Sequence, residues 1–116
     1  YARKGGVIVN NASVLGWRAQ EGQSHYAAAK AGVMALTRCA AIEGASHGVR
    51  VNAVAPGLVE TPWTETWDAV HAAVAQRSPL GRSATADDCA EAVLGILRAR
   101  YQTGDVVVVD GGLTLA

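Results

Sequence analysis

Tyr26 and Lys30 stand four residues apart in the run Tyr26-Ala27-Ala28-Ala29-Lys30. On a helix that spacing puts both side chains on one face, so an ammonium can lie beside a phenol. A free phenol titrates near about 10 and is a poor acid or base at neutral pH. Bringing a phenol to about 7 takes about 4 kcal/mol, which a unit charge about 4 Å away supplies at an effective dielectric of about 20. Alone the pair is a weak signal, because a tyrosine covering a lysine stem on a surface helix has the same spacing. Ser13, thirteen residues before Tyr26, strengthens it. A hydroxyl there can bond a carbonyl oxygen while the phenol gives or takes the proton. The bland alternative for Ser13 is a loop serine making a local turn bond.

These residues need elements to hold them. Val7-Ile8-Val9-Asn10 is an unbroken apolar run after Gly5-Gly6, the pattern of a strand buried on both faces of a parallel sheet. Residues 11–23 form a loop that places Ser13 at the strand's carboxyl end, where open α/β sheets bind ligands. Ser24 is expected to cap a helix running to about Ser46. Val49 to Val54 is a second strand ending at Pro56-Gly57, and 64–76 is helical. Thr85 and Asp88 form a capping-box start for a helix to about Ala99, with Arg98 and Arg100 near the negative end of its dipole. Val106 to Val109 is a third strand, closed by Asp110-Gly111-Gly112. Strands alternating with helices imply right-handed crossovers and an α/β, doubly wound parallel sheet. Three strands are few for such a sheet, so this reads as half a fold, continued on one side.

Ser13, then Tyr26-Ala27-Ala28-Ala29-Lys30-Ala31-Gly32-Val33, Val49 to Gly57, Ser78-Pro79-Leu80-Gly81-Arg82 and Val109-Asp110-Gly111-Gly112 resemble, in order and spacing, the landmarks of the short-chain dehydrogenase/reductase family. The resemblance covers nearly the whole chain and is nearest to the single-domain branch that includes 3-oxoacyl-carrier-protein reductases. It implies the C-terminal half of a Rossmann-type domain over 1–116, and NAD(P)-dependent interconversion of a ketone and a secondary alcohol. Tyr26 would be the general acid or base. Lys30 would support it and bond the nicotinamide ribose, and Ser13 would orient the substrate carbonyl. Pro56 and Gly57 would shape the turn beneath the nicotinamide, whose carboxamide would meet the Val59 backbone and Thr61. The cofactor would be NAD or NADP, and a homo-oligomer, dimer or tetramer, is the family habit. The family's Gly-rich phosphate loop is missing from this sequence, as are its catalytic Asn and the residue that selects NAD or NADP. Gly44 and Gly48 do not substitute for the loop, because they join a helix to a strand, and phosphate needs a strand leading into a helix N-terminus. Asn10-Asn11-Ala12-Ser13 looks like the family's Asn-Asn-Ala-Gly motif, but its distance from Tyr26 favours Ser13 as the substrate-facing serine.

Composition narrows the alternatives. Ten basic and ten acidic residues give no net charge, which argues against a nucleic-acid or acidic-membrane binder. No apolar run reaches the roughly 20 residues a membrane span needs. The start, Tyr1-Ala2-Arg3-Lys4-Gly5-Gly6, has no h-region and no initiator Met, so the expectation is a cytoplasmic chain that begins mid-gene. Cys39 and Cys89 read as small buried thiols, and His25, His47 and His71 as surface or loop residues, with no metal site. Trp63 and Trp67, four apart, could line an apolar substrate pocket from one helical face. Two other readings remain. One is a truncated, non-catalytic chain whose Ala-rich helix serves assembly. The other is the longer epimerase/dehydratase branch, which this short C-terminal remainder disfavours.

Overall fold

A computed structural model describes residues 5–116, so the Tyr1–Lys4 start lies outside the described residues. Three strands, β1 (Gly6–Asn11), β2 (Val49–Pro56) and β3 (Val106–Val109), form one sheet in that order. All pairings are parallel, with Gly6 opposite Val49 and Ala53 opposite Val106. Helix α1 (Ser24–Ala45) carries the chain from β1 to β2, while α2 (Asp68–Arg77) and α3 (Ala86–Arg98) lie between β2 and β3. This is the alternating α/β architecture expected, with the three strands contiguous.

The central strand is the buried one. Val51, Ala53 and Ala55 of β2 have no exposed surface; two apart along the strand, they share one face, and these small or β-branched side chains let α1 pack closely on it. The expectation that β1 is buried on both faces is not met: Val7 and Ile8 are 36% and 42% exposed. As an edge strand it pairs only with β2 among the described residues.

Helix α1 is rich in alanine, the strongest helix former, and its Met34 packs with Ala12, Ala53 and Ala55. Buried Thr37 donates to Val33 O (2.8 Å) and accepts from Asn10 Nδ2 (3.0 Å), clamping the helix to β1. Gly16 packs directly against the Met34 thioether, which would have to shift to admit a Cβ there. Ser24 does not cap the helix. It is already helical, and Gln23 stands at the cap without a side-chain bond.

The capping box of α3 forms as expected: Asp88 N donates to Thr85 Oγ1 (3.2 Å) and Thr85 N to Asp88 Oδ2 (2.7 Å). Arg82 also grips Asp88. That pairing, with the Thr85 bonds, holds the Asp88 carboxyl well below the usual carboxylate range. At the other end of α3, Arg98 lies in the last turn as expected, and the carbonyls of Ile96 and Leu97 accept from Arg50 of β2 (3.2 and 3.0 Å). Residues 102–105 are clipped down by the fully buried Asn52, which donates to Gln102 O (2.9 Å) and accepts from Asp105 N (3.0 Å). That clip sets where β3 begins.

Asn52→Leu keeps the side-chain size but orphans the Asp105 N–H. The intact protein should lose about 1–3 kcal/mol in chemical denaturation; an unshifted midpoint would contradict the clip.

Candidate active site

The carboxyl ends of β1 and β2 open onto a cleft of about 560 Å³. Ala12 N continues the β1–β2 pairing one residue past the strand, to Val54 O (2.8 Å). That fixes the next residue, Ser13, which is buried at the cleft wall. Its Oγ accepts from Leu15 N (3.2 Å) and caps the short 3₁₀ turn Val14–Gly16. The local turn bond and the cleft position therefore coexist, because accepting through a lone pair leaves the hydroxyl proton uncommitted.

Tyr26, in the first turn of α1, lines the same cleft, and no described group bonds its hydroxyl. Lys30 lies one turn on, with Nζ 5.5 Å from the Tyr26 ring centroid. The same ammonium donates to Asn11 O (3.0 Å) at the last residue of β1. Ser13 and Tyr26 thus face one cleft, and Lys30 is turned toward the tyrosine and the strand end.

Pro56, Gly57, Val59 and Thr61 also line the cleft. Gly57 N donates to Val109 O (3.0 Å), and a Cβ at Gly57 would sit 3.0 Å from Asp110 Cβ. Glycine is therefore what lets the exits of β2 and β3 pass so closely. Past it, Ala84 N bonds Leu58 O (2.9 Å) and Glu60 N bonds Ala84 O (2.8 Å). This bridge leaves the Val59 N–H and the Thr61 hydroxyl without partners among the described residues. Buried Thr64 shapes the turn, donating to Val59 O (2.6 Å) and accepting from Thr61 N (3.1 Å). Free donors on a turn held this firmly suit the nicotinamide end of a dinucleotide, where a carboxamide offers acceptors. Among these residues no strand leads into a Gly-rich phosphate loop.

Several residues at the site are not where sequence alone put them. His71 is part-buried on α2, and it ties that helix to Thr64 O through Nε2 (3.0 Å) and to Ser83 Oγ through Nδ1 (2.7 Å). His25 and His47 are exposed, as expected. Trp63 is not helical, since α2 begins only at Asp68. Trp63 and Trp67 instead pack edge to face at 5.5 Å, and both line the cleft. Cys39 is exposed rather than buried, while burial pushes the Cys89 thiol up. Arg18 and Arg77 of the cleft wall carried no motif that would have singled them out. Asp110, part of the Val109–Gly112 landmark, is also an anchor. It receives Gly112 N (2.9 Å) and Thr114 N (2.8 Å) and so folds back the last residues, whose Leu113 closes one side of the cleft. Burial raises the Asp110 carboxyl, but its bonds from Thr114 and Gly112 and the Arg18 charge outweigh this and hold it below its ordinary value. Among the described residues, no three His, Cys, Asp or Glu side chains cluster as metal ligands, and no helix is long and apolar enough to cross a membrane.

The sequence profile of the family described as enoyl-(acyl carrier protein) reductase matches residues 1–114. The chain belongs to the short-chain dehydrogenase/reductase family. It is 51% identical to a hydroxy-methyl-oxo-hexahydroindene-carboxyl-CoA reductase of Mycobacterium tuberculosis, over 94% of this chain and 43% of that protein. It is 41% identical to the 3-oxoacyl-[acyl-carrier-protein] reductase FabG of Thermotoga maritima, over 97% and 47%. A gluconate 5-dehydrogenase from Burkholderia cenocepacia, solved with NADP and tartrate, superposes with a TM-score of 0.92 at 32% identity, over 99% and 47%. The chain spans about half the length of the relatives it matches.

A carboxyl whose folded pKa is depressed stabilises above its unfolded value, and that contribution is lost as pH falls. Asp110→Asn should therefore lower the Tm of the intact protein at pH 7, with the gap closing below about pH 4. A gap that persists in acid would contradict the anchoring role.

Proposed function

We propose that the intact short-chain dehydrogenase/reductase to which this chain belongs interconverts a ketone and a secondary alcohol with NAD or NADP, using Ser13, Tyr26 and Lys30. The observation that carries this reading is the shared cleft: Ser13 and Tyr26 line it with uncommitted hydroxyl protons, and Lys30 Nζ is 5.5 Å from the ring. In reduction, Ser13 donates a hydrogen bond to the substrate carbonyl oxygen and fixes its direction. Tyr26 gives its phenolic proton to that oxygen as the carbon becomes tetrahedral, and the Lys30 ammonium offsets the charge left on the phenolate. In oxidation the phenolate takes the alcohol proton back. A bound nicotinamide supplies or accepts the hydride. Lys30 would hold its ribose, the Pro56-Gly57 turn would help shape its place in the cleft, and the Val59 N–H and Thr61 hydroxyl would orient its carboxamide.

The pyrophosphate grip and the choice between NAD and NADP fall to an N-terminal half outside these 116 residues. The working enzyme on this reading is cytoplasmic and homo-oligomeric, with a small carbonyl compound or alcohol as its partner and no part for nucleic acid or membrane. The exposed small face of α1, with Ala28, Ala31, Gly32 and Ala35, suits close helix–helix contact between subunits.

Tyr26→Phe in the intact protein should leave dinucleotide binding in place and lower turnover of a ketone panel by about 10²-fold or more. Turnover within a few-fold of wild type would refute the proton-transfer role. The isolated 116-residue chain, titrated with NADH and NADPH, should bind neither tightly. Micromolar binding would contradict the division of labour between the halves.

A further inference from the structure

The walls of the cleft are unequal in charge. Arg18 and Arg77 both line it, and among the described residues no Asp or Glu does. The two arginines differ in how they are held. Arg18 Nη1 donates to Leu113 O (3.2 Å) and its charge acts on Asp110, so it is occupied with the C-terminal turn. The Arg77 guanidinium has no hydrogen bond or ion pair among the described residues.

Its place on α2 gives it a direction. Trp67, at the helix start, and Val70, Ala73, Val74 and Arg77 all line the cleft. Their spacing of three and four residues is one helical face. That face is an apolar stripe ending in a guanidinium. A cation in the last turn of a helix also complements the dipole, but that role needs no apolar approach and no cleft. A guanidinium presents paired N–H donors matched to carboxylate or phosphate.

Resting on the oxidoreductase reading above, we propose that the substrate of the intact enzyme is a carbonyl compound with an apolar body and an anionic group, carboxylate or phosphate. Its body lies along Trp67, Val70 and Val74, and Arg77 holds the anion. Arg77 is on this view a substrate-selecting residue and takes no part in the chemistry at Tyr26. Binding needs no rearrangement of the fold, because the guanidinium leaves no protein partner to reach the ligand.

The test assays the intact enzyme with NADPH and NADH against 4-oxocyclohexanecarboxylate, its neutral methyl ester and 4-oxocyclohexyl phosphate. Wild type should prefer at least one anion to the ester by about 10- to 100-fold in kcat/KM, the range of a hydrogen bond to a charged group, and mostly through KM. The two anions distinguish carboxylate from phosphate as the group recognised. Arg77→Gln should abolish the preference, and Arg77→Lys should keep part of it, since the charge remains without the fork. Ester turnover with no preference for either anion overturns the anion site and leaves the oxidoreductase reading standing. A preference that survives Arg77→Gln overturns the assignment to Arg77. A rise in dinucleotide KM in Arg77→Gln, with substrate KM unmoved, assigns the anion to the cofactor and overturns the proposal. Absence of turnover with all three ketones counts against both readings together.

Discussion

The Lys30 ammonium bonds the carbonyl of Asn11, the last residue of β1, and the geometry of the site follows from that contact. It ties a residue in the second turn of α1 to the end of a strand. Tyr26, one turn earlier, is thereby brought to the mouth of the cleft where Ser13 emerges. The Thr37–Asn10 bond reinforces the tie from two turns further along the helix. The lysine thus combines a scaffold bond with a nearby charge, and both depend on the four-residue spacing.

Packing supplies the second constraint. A strand with Val51, Ala53 and Ala55 fully buried lets α1 sit close, and Ala12 and Met34 fill the remaining space. The polar residues of β2 serve the opposite layer: Arg50 meets the last carbonyls of α3, and Asn52 pins the segment that starts β3. Buried polar groups are costly unless bonded, and no described buried side-chain polar atom lacks a partner. One strand therefore organises both flanking layers and fixes where β3 and Asp110 fall. Asp110 in turn folds the C-terminal turn over the cleft.

Much of this was legible in the sequence. The apolar runs and the capping box at Thr85 are local signals, and they located the strands and α3. That Ser13 and Tyr26 would meet at one cleft, with Lys30 beside the tyrosine, was legible because their spacing falls on a strand–loop–helix unit. What was not legible depends on distant partners. Ser24 looked like a cap, but the helix begins on it, and propensity at one position does not decide where the chain enters a helix. Val7 and Ile8 read as buried on both sides, yet burial of an edge depends on what lies beyond it. The bonds of His71 to Thr64 and Ser83, and the charge imbalance made by Arg18 and Arg77, join residues from separate elements and leave no pattern in the chain.

The central claim is that Lys30 serves the reaction as well as the fold. It is tested most directly by steady-state turnover of the intact enzyme with Lys30→Met, alongside its thermal unfolding. The account predicts a loss of kcat/KM of about 10²-fold or more, in a protein that still unfolds cooperatively. Turnover within a few-fold of wild type would contradict it.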